Sequence, residues 1–301
     1  MDRIRDAIIL AGGRGTRMLP ASLFVAKETL PLIDTPIINH LIWEVAKAGI
    51  EKIHLVLSKS KEEGLRRFVD HEVSQFDRMR PDLPSEALRL GVKGVEIKIH
   101  VQEKAGGVGD AIYTVKGSIE GPFLVVLGDN LLIADHVGPL HSGIEKASEA
   151  SFDLVKRYEE TGLPCVGVSQ VMEQEICNYG AISFDGSRVA TIVEKPNSGD
   201  APSNYILSGR YILPQNTFEI LEQFSVREFG ENQSIALLRN LIENGGIEAV
   251  KYSEYEMYDS GNPISWMKAQ IDHAFRRDDT PSEFKKWIQQ RVESEGNING
   301  D

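Results

Sequence analysis

Three glycines stand among three cations in the stretch LAGGRGTRMLPASLFVAKETLPL, residues 10–32. Gly12, Gly13 and Gly15 carry no side chains, so backbone N–H groups there can approach an anion closely and point at it. Arg17 and Lys27 supply formal charge where amide dipoles are insufficient. The chemistry this suits is phosphate binding, and the other reading of a glycine loop taken alone is a flexible turn with solvated basic residues. Two familiar phosphate loops are excluded, however. A P-loop ends in Gly-Lys-Ser/Thr, where this chain has Thr16-Arg17-Met18, and a dinucleotide fingerprint needs a third glycine where Met18 sits. A second candidate is Asp129, which follows the apolar run FLVVL. A carboxylate there is a hard oxygen ligand suited to Mg²⁺ beside phosphates, although an aspartate at that point, taken alone, reads first as a turn or cap residue.

The elements around these residues alternate. AIILA (Ala7–Ala11) reads as a buried strand, and TPIINHLIWEVAKAGI as a helix with Thr35 as N-cap, Pro36 in its first turn and Gly49 past its end. KIHLVL is the next strand, residues 58–79 are helical and charged, and VEIKIHV and FLVVLGDN are further strands. Such a βαβα rhythm argues for a doubly wound, mostly parallel, Rossmann-like α/β sheet with helices on both faces. Past residue 150 the pattern changes. Asp185-Gly186 lies between two alternating runs and marks a hairpin, giving an antiparallel insertion in a mixed sheet. Helices return from Pro214 to Glu243, and PISWMKAQIDHAFRR and SEFKKWIQQRVE are amphipathic C-terminal helices. In an open parallel sheet ligands sit beyond the carboxyl ends of strands, which is where the glycine loop and Asp129 fall.

Composition limits the partners. The 33 basic and 45 acidic residues leave a net charge of −12, which argues against nucleic acid and anionic membranes and means that an anionic ligand needs a local positive site. Two cysteines, Cys165 and Cys177, cannot build a disulfide framework or a four-ligand zinc site. The apolar start is too short for a signal peptide and no run of 18 apolar residues occurs, so a cytoplasmic location is expected. The seven histidines read as scattered. Trp43, Trp266 and Trp287 read as core or subunit-interface residues.

The 10–32 stretch resembles the signature of the sugar-1-phosphate nucleotidylyltransferases, G-x-G-T-R, then P, then K and L-P. GVGDA, YGAI, VEKP, PSNYILSGRYIL, DSGN and EFKKW extend the resemblance over most of residues 5–290, closest to the branch that uses UTP and glucose-1-phosphate. The resemblance implies that a sugar phosphate attacks the α-phosphorus of a nucleoside triphosphate and releases pyrophosphate. It assigns Arg17 and Lys27 to catalysis, and Ala11, Gly12, Gly13, Gly15, Gln102 and Gly107 to the nucleotide. Gly180, Glu194 and Lys195 go to the sugar phosphate, and Asp129 and Asp259 to Mg²⁺. It also implies one nucleotidyltransferase domain over 1–301: a nucleotide-binding half (1–150), a sugar-phosphate-binding half (151–262) and C-terminal helices (263–301). Family members commonly form homo-oligomers. Leu23, where that branch carries lysine, and Ala236, where an acid is frequent, keep dTTP or another hexose-1-phosphate open as substrates. A non-catalytic nucleotide-sugar-binding regulatory protein on the same fold is the alternative of another class.

Overall fold

The computed structural model describes residues 3–69, 79–85, 87–197, 199–224 and 233–296. Strand β1 (Asp6–Ala11) leads through the glycine loop to a two-residue ribbon, β2 (Pro31–Leu32) with β3 (Thr35–Pro36), and then to helix α1 (Ile37–Lys47). There follow β4 (Lys52–Ser58), α2 (Lys59–Val69), β5 (Glu96–Gln102), α3 (Gly107–Tyr113), β6 (Phe123–Leu127) and β7 (Asn130–Ile133). Next come α4 (Ala150–Thr161), β8 (Cys165–Gln170), β9 (Gly180–Asp185), β10 (Arg188–Glu194) and β11 (Tyr205–Leu213). After α5 (Thr217–Gln223) and α6 (Gln233–Glu243) the described chain ends with β12 (Glu248–Lys251), β13 (Glu256–Asp259), α7 (Pro263–Arg276) and α8 (Ser282–Gly296). Parts of two expected helical stretches, residues 70–78 and 225–232, lie outside the described residues.

The described strands form a nine-stranded sheet in the order β5-β4-β1-β6-β11-β8-β12-β10-β9. Pairing is parallel across β5, β4, β1 and β6. Beyond β6 it changes: β11 runs antiparallel to both β6 and β8, and β9 and β10 form an antiparallel hairpin at the far edge. The expectation of a mostly parallel sheet therefore holds across β5, β4, β1 and β6, and beyond them only the β12–β8 pair is parallel. The two residues between β9 and β10 are too few for a crossover, so that pair has to be antiparallel. The antiparallel strands β9, β10 and β11 belong to this same mixed sheet, while β7 and β13 pair antiparallel in a separate two-stranded sheet.

Alternation along each strand divides the core between two faces. Ala7, Ile9, Leu124 and Val126 pack on the side of α1 and α4, with Trp43 and Leu154. Ile8, Phe123 and Val125 pack on the side of α3, α5 and α6, with Ile112, Phe218 and Leu238. Helices thus cover both faces, which is why FLVVL is a continuous apolar run.

One cap differs from expectation. Helix α1 starts at Ile37, its N-cap is Pro36 in extended backbone, and Thr35 makes no cap bond. Instead, Ile37 N donates to the Leu30 carbonyl (3.0 Å), and Thr35 pairs with Leu32 in the β2–β3 ribbon. The incoming chain satisfies the helix end that a threonine hydroxyl would otherwise serve.

Candidate active site

The carboxyl ends of β1, β4, β5 and β6 share one edge of the sheet. The glycine loop starts there, and Gly15 adopts φ +64°, a left-handed conformation strained for other residues. Its carbonyl accepts from Met18 N (2.9 Å) and Ser22 Oγ (2.8 Å), closing a 3₁₀ turn, Thr16–Met18, that carries Arg17. Lys27 opens a second such turn, Lys27–Thr29, and is only 8% exposed. Its ammonium donates to Asp129 Oδ2 and lies 4.0 Å from Glu28 Oε1. Burial alone would lower this ammonium, but Asp129, Glu28 and Asp259 outweigh it and hold Lys27 above the ordinary lysine value.

Asp129 owes its place to Gly128. A Cβ at Gly128 would stand 2.6 Å from the Leu10 carbonyl oxygen, so glycine lets the chain leave β6 tight against β1. The second aspartate arrives from far along the chain. Strand β13 pairs antiparallel with β7, setting Asp259 opposite Asn130, and Ser260 donates to the Asp129 carbonyl through both N (2.9 Å) and Oγ (3.0 Å). At Gly261 a Cβ would meet Arg17 Nη2 at 2.7 Å, Asp259 Oδ1 at 2.7 Å and Asp129 Oδ2 at 3.4 Å. Arg17, Asp129 and Asp259 thus converge on one point, and Lys27 joins them through Asp129. Burial raises the Asp259 carboxyl and Asp129 adds to the effect, while the Gly261 N–H, Arg17 and Lys27 oppose it.

Charges of both signs meet at this edge: Arg17, Lys27 and Lys61 stand with Glu28, Asp129 and Asp259, and the glycine loop also carries exposed Arg14. Two adjacent carboxylates are hard oxygen donors that fit a dication such as Mg²⁺. Among the described residues no group of three or more His, Cys, Asp or Glu is arranged to hold a metal, so phosphate oxygens and water would complete its shell.

Gln102, at the end of β5, is buried. Its Nε2 donates to Asp110 Oδ2 (2.6 Å) and more weakly to the Gly107 carbonyl (3.3 Å), while a Cβ at Gly12 would lie 3.1 Å from its Oε1. Gln102, Gly107 and the glycine loop are thus brought together. Gly180 and Glu194 pair at the open end of the β9–β10 hairpin, where a Cβ at Gly180 would lie 3.1 Å from Glu194 Oε2. They line a cavity of about 170 Å³ with Asn130, Tyr179, Leu207 and Tyr211. Lys195 follows with φ +43°, strained for a lysine, and its N donates to the Tyr179 carbonyl (3.0 Å). Its side chain is 58% exposed, with Nζ 3.7 Å from Glu194 Oε1. It does not line the cavity as Glu194 does.

Several neighbours were not singled out from the sequence. Asn130 borders Asp129 and lines the cavity, as does Tyr211. Behind them, fully buried Arg210 donates to both carboxylate oxygens of Glu44 (2.7 and 2.8 Å) and to the Asn130 carbonyl (3.0 Å). An arginine inside the apolar strand YILSGRYIL was the available signal. Not all histidines are isolated: the Nδ1 atoms of His136 and His273 lie 2.8 Å apart, and His54 bridges Asp6 and His100. Trp43 is buried, Trp266 donates to the Pro31 carbonyl (3.3 Å), and Trp287 is half exposed on α8.

The chain belongs to the nucleotidyl transferase family, whose description matches residues 6–274. It is 33% identical to a UTP–glucose-1-phosphate uridylyltransferase of Streptococcus pyogenes serotype M3 over 302 aligned residues, 96% of each chain. Among solved structures it is similar to a UDP-glucose pyrophosphorylase complexed with UDP-glucose. That match has a TM-score of 0.76 and 26% identity, over 91% of this chain and 100% of that one. A UTP-bound UGPase from Acinetobacter baumannii gives a TM-score of 0.78 and 27% identity, over 95% of this chain and 99% of that one.

Proposed function

We propose that the chain transfers a uridylyl group from UTP to glucose-1-phosphate, giving UDP-glucose and pyrophosphate. The observation that carries this reading is the convergence of Arg17, Lys27, Asp129 and Asp259 at the mouth of the glycine loop. A sugar-phosphate oxygen bonds to the α-phosphorus of UTP as the bond to the bridging oxygen of pyrophosphate breaks. No protein nucleophile is consumed, so catalysis is alignment plus neutralisation of charge.

Ala11, Gly12, Gly13 and Gly15 cradle the triphosphate by backbone amides, and Arg17 and Lys27 offset its charge as it develops. Gln102, its amide oriented by Asp110, reads the pyrimidine, and Gly107 lets the base lie close. Gly180 and Glu194 hold the hexose, and Lys195 reaches its phosphate. Asp129 and Asp259 would hold Mg²⁺, whose chemistry is to neutralise phosphate oxygens. Residues 1–150 then act as a Rossmann-like nucleotide-binding half, 151–262 as the sugar-phosphate half and 263–301 as the C-terminal segment, helical over Pro263–Arg276 and Ser282–Gly296. Exposed Ile264, Met267 and Ile271 on α7, with Phe284, Trp287 and Val292 on α8, support a homo-oligomer that covers them. A cytoplasmic location belongs to the same proposal, and no described helix is long and apolar enough to cross a membrane.

The purified chain with Mg²⁺, UTP and glucose-1-phosphate should release pyrophosphate and form UDP-glucose. Turnover with dTTP at equal kcat/KM would remove the uridylyl assignment, and no pyrophosphate with any triphosphate and sugar-phosphate pair would remove the enzyme reading.

A further inference from the structure

In sequence, Lys61 belongs to the charged run SKSKEEGLRR on α2, which would ordinarily face water. The structure puts it elsewhere. Its side chain is 10% exposed, and its ammonium donates to Glu28 Oε2 (2.7 Å) and to the Ala11 carbonyl (3.0 Å). Glu28 is 1% exposed, and its other oxygen, Oε1, has no hydrogen-bond partner and faces Lys27 Nζ at 4.0 Å. A Cβ at Gly128 would lie 3.2 Å from Glu28 Cγ, so glycine also makes room for this carboxylate beside the Asp129 turn.

We propose that Lys61 is a positioning residue for nucleotidyl transfer, tying the turn that carries Lys27 to the first carbonyl of the glycine loop. The proposal rests on the function inferred above. Burying two opposite charges is costly and often gains nothing in stability over an apolar pair. Here the pair sits where two phosphate-binding segments must keep a fixed separation. Ala11 and Glu28 belong to those two segments, and one ammonium bridges them. Lys61 does not need to touch substrate: a small misplacement of a charged group is enough to cost rate.

The test compares wild type, Lys61→Met and the double variant Lys61→Met/Glu28→Gln as full chains, by steady-state kinetics and thermal unfolding. Lys61→Met should lower kcat by about ten- to a hundredfold, less than loss of a direct contact group, and raise KM for UTP severalfold. KM for glucose-1-phosphate should stay within about twofold, because its cavity lies beyond Asn130. The double variant leaves no unpaired buried carboxylate, so its melting temperature should recover while kcat stays low. Recovery of kcat with the melting temperature would make the pair structural only, and a Lys61→Met kcat within about twofold of wild type would equally overturn the proposal. The double variant keeps the test decisive should the single variant not fold. A wild type without turnover counts against the reaction, not the tether. In that case UTP affinity by calorimetry decides: weakening of about tenfold in both variants supports the tether and unchanged affinity overturns it.

Discussion

Lys27 and Lys195 carry the same ammonium group in opposite surroundings. Lys27 is 8% exposed, with Asp129 and Glu28 beside it. The Lys195 side chain is 58% exposed on a strained strand end, with one loose contact to Glu194. A charge in a poorly solvated pocket acts on a phosphate with far less screening than one in water. On the proposed assignment, the triphosphate end is thus prearranged, while the sugar-phosphate end must be completed when its ligand arrives.

That contrast sets an order of effects. Lys27→Ala should lower kcat/KM for UTP by about a thousandfold, the upper range for loss of a preorganised charge, in steady-state assays. Lys195→Ala should cost only about tenfold, mostly as a higher KM for glucose-1-phosphate, because an exposed pair contributes little before the ligand binds. Equal losses in the two variants would break the comparison, and a loss at Lys195 confined to kcat would mean that its ammonium also acts in the transition state.

The two ends also differ in how far the sequence disclosed them. Arg17 and Lys27 were legible because glycines and cations lie within one short stretch, a pattern that suits phosphate and that the longer family motif sets apart from a solvated turn. Asp259 was named only through a family resemblance, since it reaches Asp129 by the β7–β13 pairing, which no local pattern encodes. Lys61 and Glu28 were not recognised as a pair, because a charged helical run reads as a solvated face and sequence does not reveal burial. The same limit applies to the sheet. Apolar runs announced the strands, but β11 lies between β6 and β8 and antiparallel to both, a pairing of distant segments that no local pattern sets. Thr35 had the right chemistry for a cap, and the Leu30 carbonyl took its place.

The proposed chemistry requires Asp129, Asp259, Arg17 and Lys27 to act on one phosphate chain. Anomalous diffraction from crystals grown with UTP and Mn²⁺ tests this most directly. The predicted result is a manganese peak shared by the carboxylates of Asp129 and Asp259, with Lys27 Nζ moved from Asp129 to a phosphate oxygen. A manganese peak elsewhere, with Lys27 still bound to Asp129 and UTP away from the glycine loop, would contradict it.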